Sequence, residues 1–333
     1  MFLRNSWYVA AWDREVTRDL LARTILQEPV VLYRKEDGAP VALEDRCCHR
    51  HLPLSMGKLE GDRLRCGYHG LLFDAAGKCV EIPGQATIPP QARVRVFPLI
   101  EKYHWIWVWM GEPEKADPAL IPNWWWAGHK EWAFTRPDRV HLECNYQLIA
   151  DNVLDVTHLA YVHASSIGSG SIVEFPATVE REERLVRLTR WIRDRPPPPL
   201  YREAGGFPGN VDRWQIVEHV PPCFSVNFAG CEDKIRRIDL MALSAPTPET
   251  ENTTHYFFGF VRNFGLADPA MEKIFAVEMV KVFNEDFPVL EAQQRMLELR
   301  PGAPRVDIKV DAAPLAARRL LQAMMEKETS SPA

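Results

Sequence analysis

The chain has 333 residues, a formal net charge of −5 and 46% hydrophobic residues, which is enough for two domains, each with its own core. This mildly acidic balance lacks the basic footprint of a nucleic-acid binder. No apolar run reaches the length of about eighteen residues that spans a membrane, and the N-terminus has no charged-then-apolar leader.

In chain order, residues up to 115 read as short strands. Segments 24–33, 40–44, 63–66 and 93–97 are β-branched or alternating, with turns at Asp37-Gly38, Ala76-Gly77 and Pro83-Gly84. Between them lie Cys47-Cys48-His49-Arg50 and Cys66-Gly67-Tyr68-His69-Gly70, a Cys-x-His and a Cys-x-x-His separated by residues 50–65. Two such loops suit a [2Fe-2S] cluster with both Cys on one iron and both His on the other. Exchanging two thiolates for neutral imidazoles moves the potential from about −400 mV to roughly −150 to +300 mV, the Rieske arrangement. Zinc is the competing reading, but Cys2His2 zinc sites run two Cys and then two His. Cys48-x-x-His51 mimics the second loop's spacing and offers a competing register. Seven cysteines, an odd number with two of them given to iron, argue against a disulfide framework and for a reducing cytoplasm. Cys79, Cys144, Cys223 and Cys231 read as small packed hydrophobes.

Segment 103–109, aromatic and β-branched, reads as a strand buried on both faces; an aromatic nucleic-acid platform would need basic surroundings that are missing. Gly111-Glu112-Pro113 and Asp117-Pro118 mark a boundary, giving domains 1–115 and 116–333. Beyond it, helices near 143–162 and 268–299 bracket strands near 177–191, 211–219, 222–230, 235–243 and 253–264, an α+β pattern. Segments 164–171 and 196–209 read as loops.

His158 and His163 are candidate metal ligands. Five residues turn an ideal helix by about 140°, so either the helix ends near 160–161 or it carries a π-bulge. Asn152, Asp155 and His158 recur at three-residue steps, which places them on one slowly drifting helical stripe. In the last helix Asp268 caps and Pro269 opens the first turn. Phe275, Met279, Val282, Asp286 and Val289 then form a core-facing stripe. A carboxylate there needs a cation, so Asp286 is the ligand candidate and Glu285, beside Lys281, a solvated neighbour. Two His and one carboxylate make the facial triad of non-haem Fe(II) oxygenases. The bland reading is a hydrogen-bonded core His158 and an Asp286 paired with Lys or Arg. Asn227 is a polar residue in the mostly apolar segment 221–229; it orients a substrate or satisfies a strand end.

The two cluster loops, Asn5-Ser6-Trp7-Tyr8-Val9-Ala10, Glu81-Ile82-Pro83-Gly84-Gln85, Asp151-Asn152-Val153-Leu154-Asp155-Val156-Thr157-His158 and Asn284-Glu285-Asp286 together resemble the Rieske non-haem iron oxygenases. The likeness is to the vanillate O-demethylase, toluenesulfonate and dicamba monooxygenase type, over nearly the full length. It implies an N-terminal all-β Rieske domain and a C-terminal helix-grip (START-like) antiparallel sheet holding a long C-terminal helix. It favours Cys47, His49, Cys66 and His69 as cluster ligands, because Arg50, Pro53, Leu54 and Gly57 then fall at their usual places; Cys48 stands where a Pro is usual. It implies His158, His163 and Asp286 as ligands of a mononuclear Fe(II). It also implies a homotrimer in which Asp155 bridges His69 of one subunit to His158 of the next, with Asn152 near the iron.

The expected function is the terminal oxygenase of a two-component aromatic-acid monooxygenase or O-demethylase, inserting one oxygen from O2 into an alkyl or ether carbon. Neither a GxGxxG fingerprint nor a plant-type four-Cys run is present, so NAD(P)H oxidation falls to a separate FMN/ferredoxin-type reductase. Arene cis-dihydroxylation is the alternative within the enzyme class. A Rieske electron-transfer or ligand-binding protein and a zinc-organised interaction protein are the alternatives outside it.

Overall fold

The computed structural model describes residues 1–164 and 174–330, so the expected loop 164–171 lies outside the described residues from 165 onward. The chain divides into two compact units, Met1–Ile121 with Thr247–Thr250, and Pro122–Pro246 with Glu251–Ala333. The division falls at 121/122, not at 115/116. Trp7 Nε1 donates to the Asp117 carbonyl at 2.8 Å and so keeps the Pro-initiated turns at 113–115 and 118–120 with the first unit. Segment 247–250 joins it through Thr247 Oγ1, which donates to the Val9 carbonyl at 2.7 Å.

The first unit is all β: β1 (Trp7–Trp12), β2 (Leu21–Ile25), β3 (Glu28–Arg34), β4 (Pro40–Glu44), β5 (Lys58–Glu60), β6 (Arg63–Arg65), β7 (Leu72–Phe73), β8 (Cys79–Glu81), β9 (Leu99–Lys102) and β10 (Trp105–Trp109). They form three small antiparallel sheets, β1-β10-β9, β2-β3-β4 and β5-β6-β7-β8. Every residue of β10 is buried, as its apolar run requires. Two expected strands are instead hairpins. Segment 24–33 turns at Leu26-Gln27 (φ 52° and 65°), and the aromatic segment turns at Tyr103-His104 (φ 58° and 67°) before β10 starts. Two-residue hairpin turns normally announce themselves by Asn or Gly, and neither is present here. Segment 93–97 forms no strand: it makes only single bridges, Arg93 with Lys78 just before β8 and Val96 with Leu43 of β4.

The second unit contains β11 (Ala133–Thr135), β12 (Val140–Leu142), α1 (Tyr146–Leu154), β13 (Ala177–Arg181), β14 (Val186–Arg195), α2 (Pro199–Gly205), β15 (Val211–Val220), β16 (Phe224–Glu232), β17 (Arg237–Pro248), β18 (Thr254–Arg262), α3 (Pro269–Lys273), α4 (Met279–Leu299) and α5 (Ala312–Ser330). Its sheet runs β11-β18-β17-β16-β15-β14-β13, with β12 also on β18. Phe275, Met279 and Leu290 of the C-terminal helical stretch share one buried cluster with Leu240, Phe258 and Phe260 of the sheet. This is the α+β arrangement of a sheet packed on a long helix.

Three local expectations change, and one helix is new. Segment 177–191 is a hairpin, closed where Glu182 N donates to the Leu185 carbonyl. Loop 196–209 contains α2, ended by Gly206 at φ 60°. The core stripe of α4 passes to Leu290, and Val289 is exposed. The helix α5 had no expectation. Its Ala313, Ala317 and Leu320 pack on Leu154, Leu188 and Val217, and Arg318 Nε donates to Asp151 of α1 at 3.0 Å.

Candidate metal centres and the substrate cavity

In the first unit the two cluster loops are built alike. Cys47 N donates to the Leu52 carbonyl and Cys66 N to that of Leu71, while His51 N and Gly70 N donate back to the carbonyls of Cys47 and Cys66. His51 (φ 58°) and Gly70 (φ 74°) therefore occupy matching left-handed positions. This gives His51 a backbone role in its loop. Cys47 and Cys66 are buried and lie against each other, and the His49 and His69 rings are exposed with centroids 4.5 Å apart. Cys48 turns toward Cys79 and the Arg93 backbone. Burial pushes the Cys47 thiol up to about 11, so a thiolate there calls for a metal. Desolvation, then the charges of His49 and Arg50, lower His69 and favour the neutral imidazole that a ligand must offer. The four donors suit a two-iron cluster with sulfur on the inner side and imidazole on the outer.

In the second unit α1 stops at Leu154, well short of 162. Asp155 Oδ1 accepts from Thr157 N at 2.8 Å, an Asx-type turn that competes with the next helical bond. Asn152, Asp155 and His158 thus do not share a helical stripe; His158–Ala160 is a 3-10 turn. The π-helical turn lies elsewhere, at Ile274–Glu278.

Even so, His158, His163 and Asp286 converge, with one ligating atom from each within 4.8 Å of the others. His163 Nε2 lies 3.3 Å from Asp286 Oδ2, and His158 Nε2 lies 3.6 Å from Asp286 Oδ1. Asn152 Nδ2 donates to Asp286 Oδ1 at 3.0 Å. Asp286 is only 8% exposed, yet no Lys or Arg pairs with it among the described residues. A buried carboxylate facing two imidazoles without a cationic side chain is the donor set of a divalent iron site. The reading of Asp286 as partner of a Lys or Arg falls.

Glu285 is not a solvated bystander. Its Oε2 accepts from His163 Nδ1 at 2.7 Å, fixing the ring so that Nε2 points at Asp286. Burial acts to lower the His163 imidazole, but Asp286 and Glu285 outweigh it and raise it. On the other ring His158 Nδ1 donates to the Asp155 main-chain oxygen, not to its carboxylate. Asp155 keeps Oδ2 without a hydrogen bond among the described residues.

A cavity of about 160 Å³ opens from these three residues into the second unit. An apolar cavity of about 150 Å³ accepts one benzene ring, so the volume matches a single substituted ring. Ala229, Ala242, Phe283 and Leu290 are among its lining residues. Asn227 does face it, with a buried Oδ1 that has no partner. Sequence reasoning missed Glu285, Arg213 and Gln215. For the last two a signal existed, since the alternate residues Val211, Arg213, Gln215, Val217 and His219 of β15 carry charge and amide on a register that otherwise points to the core.

Residues 6–98 match the Rieske [2Fe-2S] domain, and residues 142–327 match the vanillate O-demethylase oxygenase C-terminal domain. The chain is 40% identical, over all of both sequences, to the toluene-4-sulfonate monooxygenase system iron-sulfur subunit of Comamonas testosteroni. It is 36% identical to a vanillate O-demethylase oxygenase subunit from a Pseudomonas species, over 98% of this chain and 96% of that one. Dicamba monooxygenase bound to dicamba superposes with a TM-score of 0.91 at 33% identity, covering 99% of each chain.

Proposed function

The chain belongs to the Rieske non-haem iron oxygenases with a vanillate O-demethylase type C-terminal domain, and on that premise we propose that it oxidises a single-ring aromatic acid as the terminal oxygenase of a two-component system. The observation that carries this reading is the one-ring cavity that begins at a buried His-His-Asp cluster. The [2Fe-2S] cluster and the mononuclear iron supply electron storage and dioxygen activation when bound. Cys47, His49, Cys66 and His69 would hold the first, and His158, His163 and Asp286 the second.

Around the iron the side chains orient and exclude water. Glu285 holds His163 through Nδ1, the Asp155 carbonyl holds His158 through Nδ1, and Asn152 steadies Asp286. Such outer hydrogen bonds fix tautomer and ring direction. Phe283 and Leu290 keep the cavity apolar around the ring. In the overall reaction one oxygen atom of O2 enters a substrate C–H bond. The other leaves as water, taking two electrons and one proton from NAD(P)H and a second proton from the medium. An ether carbon so hydroxylated collapses to phenol and aldehyde.

As an oxygenase component the chain works with a reductase, and we assign that partner to the FMN/ferredoxin type because the chain has no nucleotide fingerprint of its own. The assembly we infer is a homotrimer in the reducing cytoplasm, with the Asp155 carboxylate of one subunit receiving a hydrogen bond from the exposed His69 of its neighbour. No helix among the described residues is long and apolar enough to cross a membrane. The test is product analysis with such a reductase against methoxybenzoates, toluene-4-sulfonate and phenoxybenzoate. One of these should give a hydroxylated or dealkylated product with matched NAD(P)H consumption; a cis-diol as sole product would reverse the assignment.

A further inference from the structure

Arg213 is the one guanidinium lining the cavity. It is only 6% exposed, and no carboxylate pairs with it among the described residues. The stretches 165–173 and 331–333 contain no Asp or Glu that could do so. Its two ionisable neighbours, Tyr201 and Cys231, are both raised by burial, the thiol to about 12, so both are neutral near pH 7. A buried charge without a counter-charge costs free energy that the fold must recover elsewhere. Two carboxamides accompany it: Gln215 Oε1 and Asn227 Oδ1 are buried in the same cavity without partners.

Sheet register places these groups on one axis. Arg213 stands opposite Cys231, Gln215 opposite Ala229, and Val217 opposite Asn227. Asn227 in turn stands opposite Ala242, and the next pair on that face is Ser225 with Ser244. Ser244 Oγ donates to Tyr256 Oη at 3.2 Å, and Tyr256 lies close enough to Asp286 to feel its charge. The metal cluster thus marks the Ser244 end and Arg213 the other, with Arg213 and Asn227 about 13 Å apart along the strands.

Resting on the aromatic-acid reading above, we propose that Arg213 anchors the anionic head group of the substrate, carboxylate or sulfonate, at the end of the cavity opposite His158, His163 and Asp286. The ring then lies over Ala229 and Ala242, with Gln215 and Asn227 beside it as amide partners, and the carbon to be oxidised points away from the anion. A planar guanidinium offers two parallel N–H groups to either oxyanion.

The test uses the holoenzyme without reductase, so that ligands bind and do not turn over. Calorimetry measures 4-methylbenzoate and toluene-4-sulfonate against their uncharged counterparts 4-methylbenzamide and toluene-4-sulfonamide. Wild type should prefer the anions by about ten- to a hundredfold. Arg213→Met should remove that preference while leaving the amides' affinity unchanged, and Arg213→Lys should keep part of it. Ligand-free Arg213→Met should melt at the wild-type temperature or above, since an uncompensated buried charge is gone; a clear loss of melting temperature would mark Arg213 as structural and overturn the inference. Arg213→Gln, neutral but polar, should lose the anion preference as Arg213→Met does. Anion preference that survives every substitution overturns the role of Arg213 and leaves the aromatic-acid reading standing. Equal binding of acids and amides by wild type overturns both.

Discussion

Glu285 and Asp286 are sequence neighbours that meet the same imidazole from two sides, His163 Nδ1 and His163 Nε2. Asp286→Ala should abolish mononuclear iron and oxygenation, with the visible absorption of the [2Fe-2S] cluster retained. Glu285→Gln should weaken iron retention by about 10- to 100-fold, measured against a competing chelator; wild-type retention would show that the Glu285 contact does not matter. In the cluster loops the thiols of Cys47 and Cys66 face each other and Cys48 faces Cys79. Cys66→Ser or His69→Ala should therefore bleach the cluster and Cys48→Ser should leave it coloured. The opposite result for Cys48 and Cys47 would shift the ligand register by one residue.

Among the elements, β15 tests how burial sets pH response. Burial lowers its His219 to about 4, beside Ser225 Oγ at 2.9 Å. The unfolded imidazole titrates near 6.5, so below that pH the unfolded chain takes up a proton that the fold refuses. Stability is thus complete above about pH 6.5 and declines as pH falls toward 4, by roughly 2 kcal/mol at pH 5. Unfolding free energies at pH 7.5 and 5 should differ by that amount more in wild type than in His219→Gln; equal differences would refute it. The strands β15, β16 and β18 were legible because their alternation and length are unambiguous. The capped entry at Asp268-Pro269 was legible too, and Asp268 accepts from Ala270 N as expected. What stayed hidden was hairpins whose turns are made by Leu26-Gln27 and Tyr103-His104, without a glycine to mark them. α5 stayed hidden as well, because its stability comes from packing on α1 and β14 and from the Arg318–Asp151 pair. The candidates His158, His163 and Asp286 came from local motifs, and the fold brings them together. The hold of Glu285 on His163 spans 122 residues of chain and leaves no local trace.

In the homotrimer we infer, the open Oδ2 of Asp155 and the exposed His69 suit a hydrogen bond made between subunits. Asp155→Asn should keep both metals yet slow single-turnover oxidation of the cluster severely, because an amide cannot accept charge-assisted bonds as a carboxylate does. Co-assembling His69→Ala subunits with Asp286→Ala subunits should restore part of the activity that each lacks alone. Mixed assemblies that stay at background, with the remaining metals confirmed present, would place the electron path within one chain.

Two of the smallest side chains lining the cavity are Ala229 and Ala242. Neither touches the His-His-Asp cluster's hydrogen bonds, so the room for substrate and the chemistry done on it are inherited at separate positions. Single larger residues at 229 or 242 should narrow the cavity while His158, His163 and Asp286 keep their contacts. Cavity size and iron binding can therefore be altered separately in this chain.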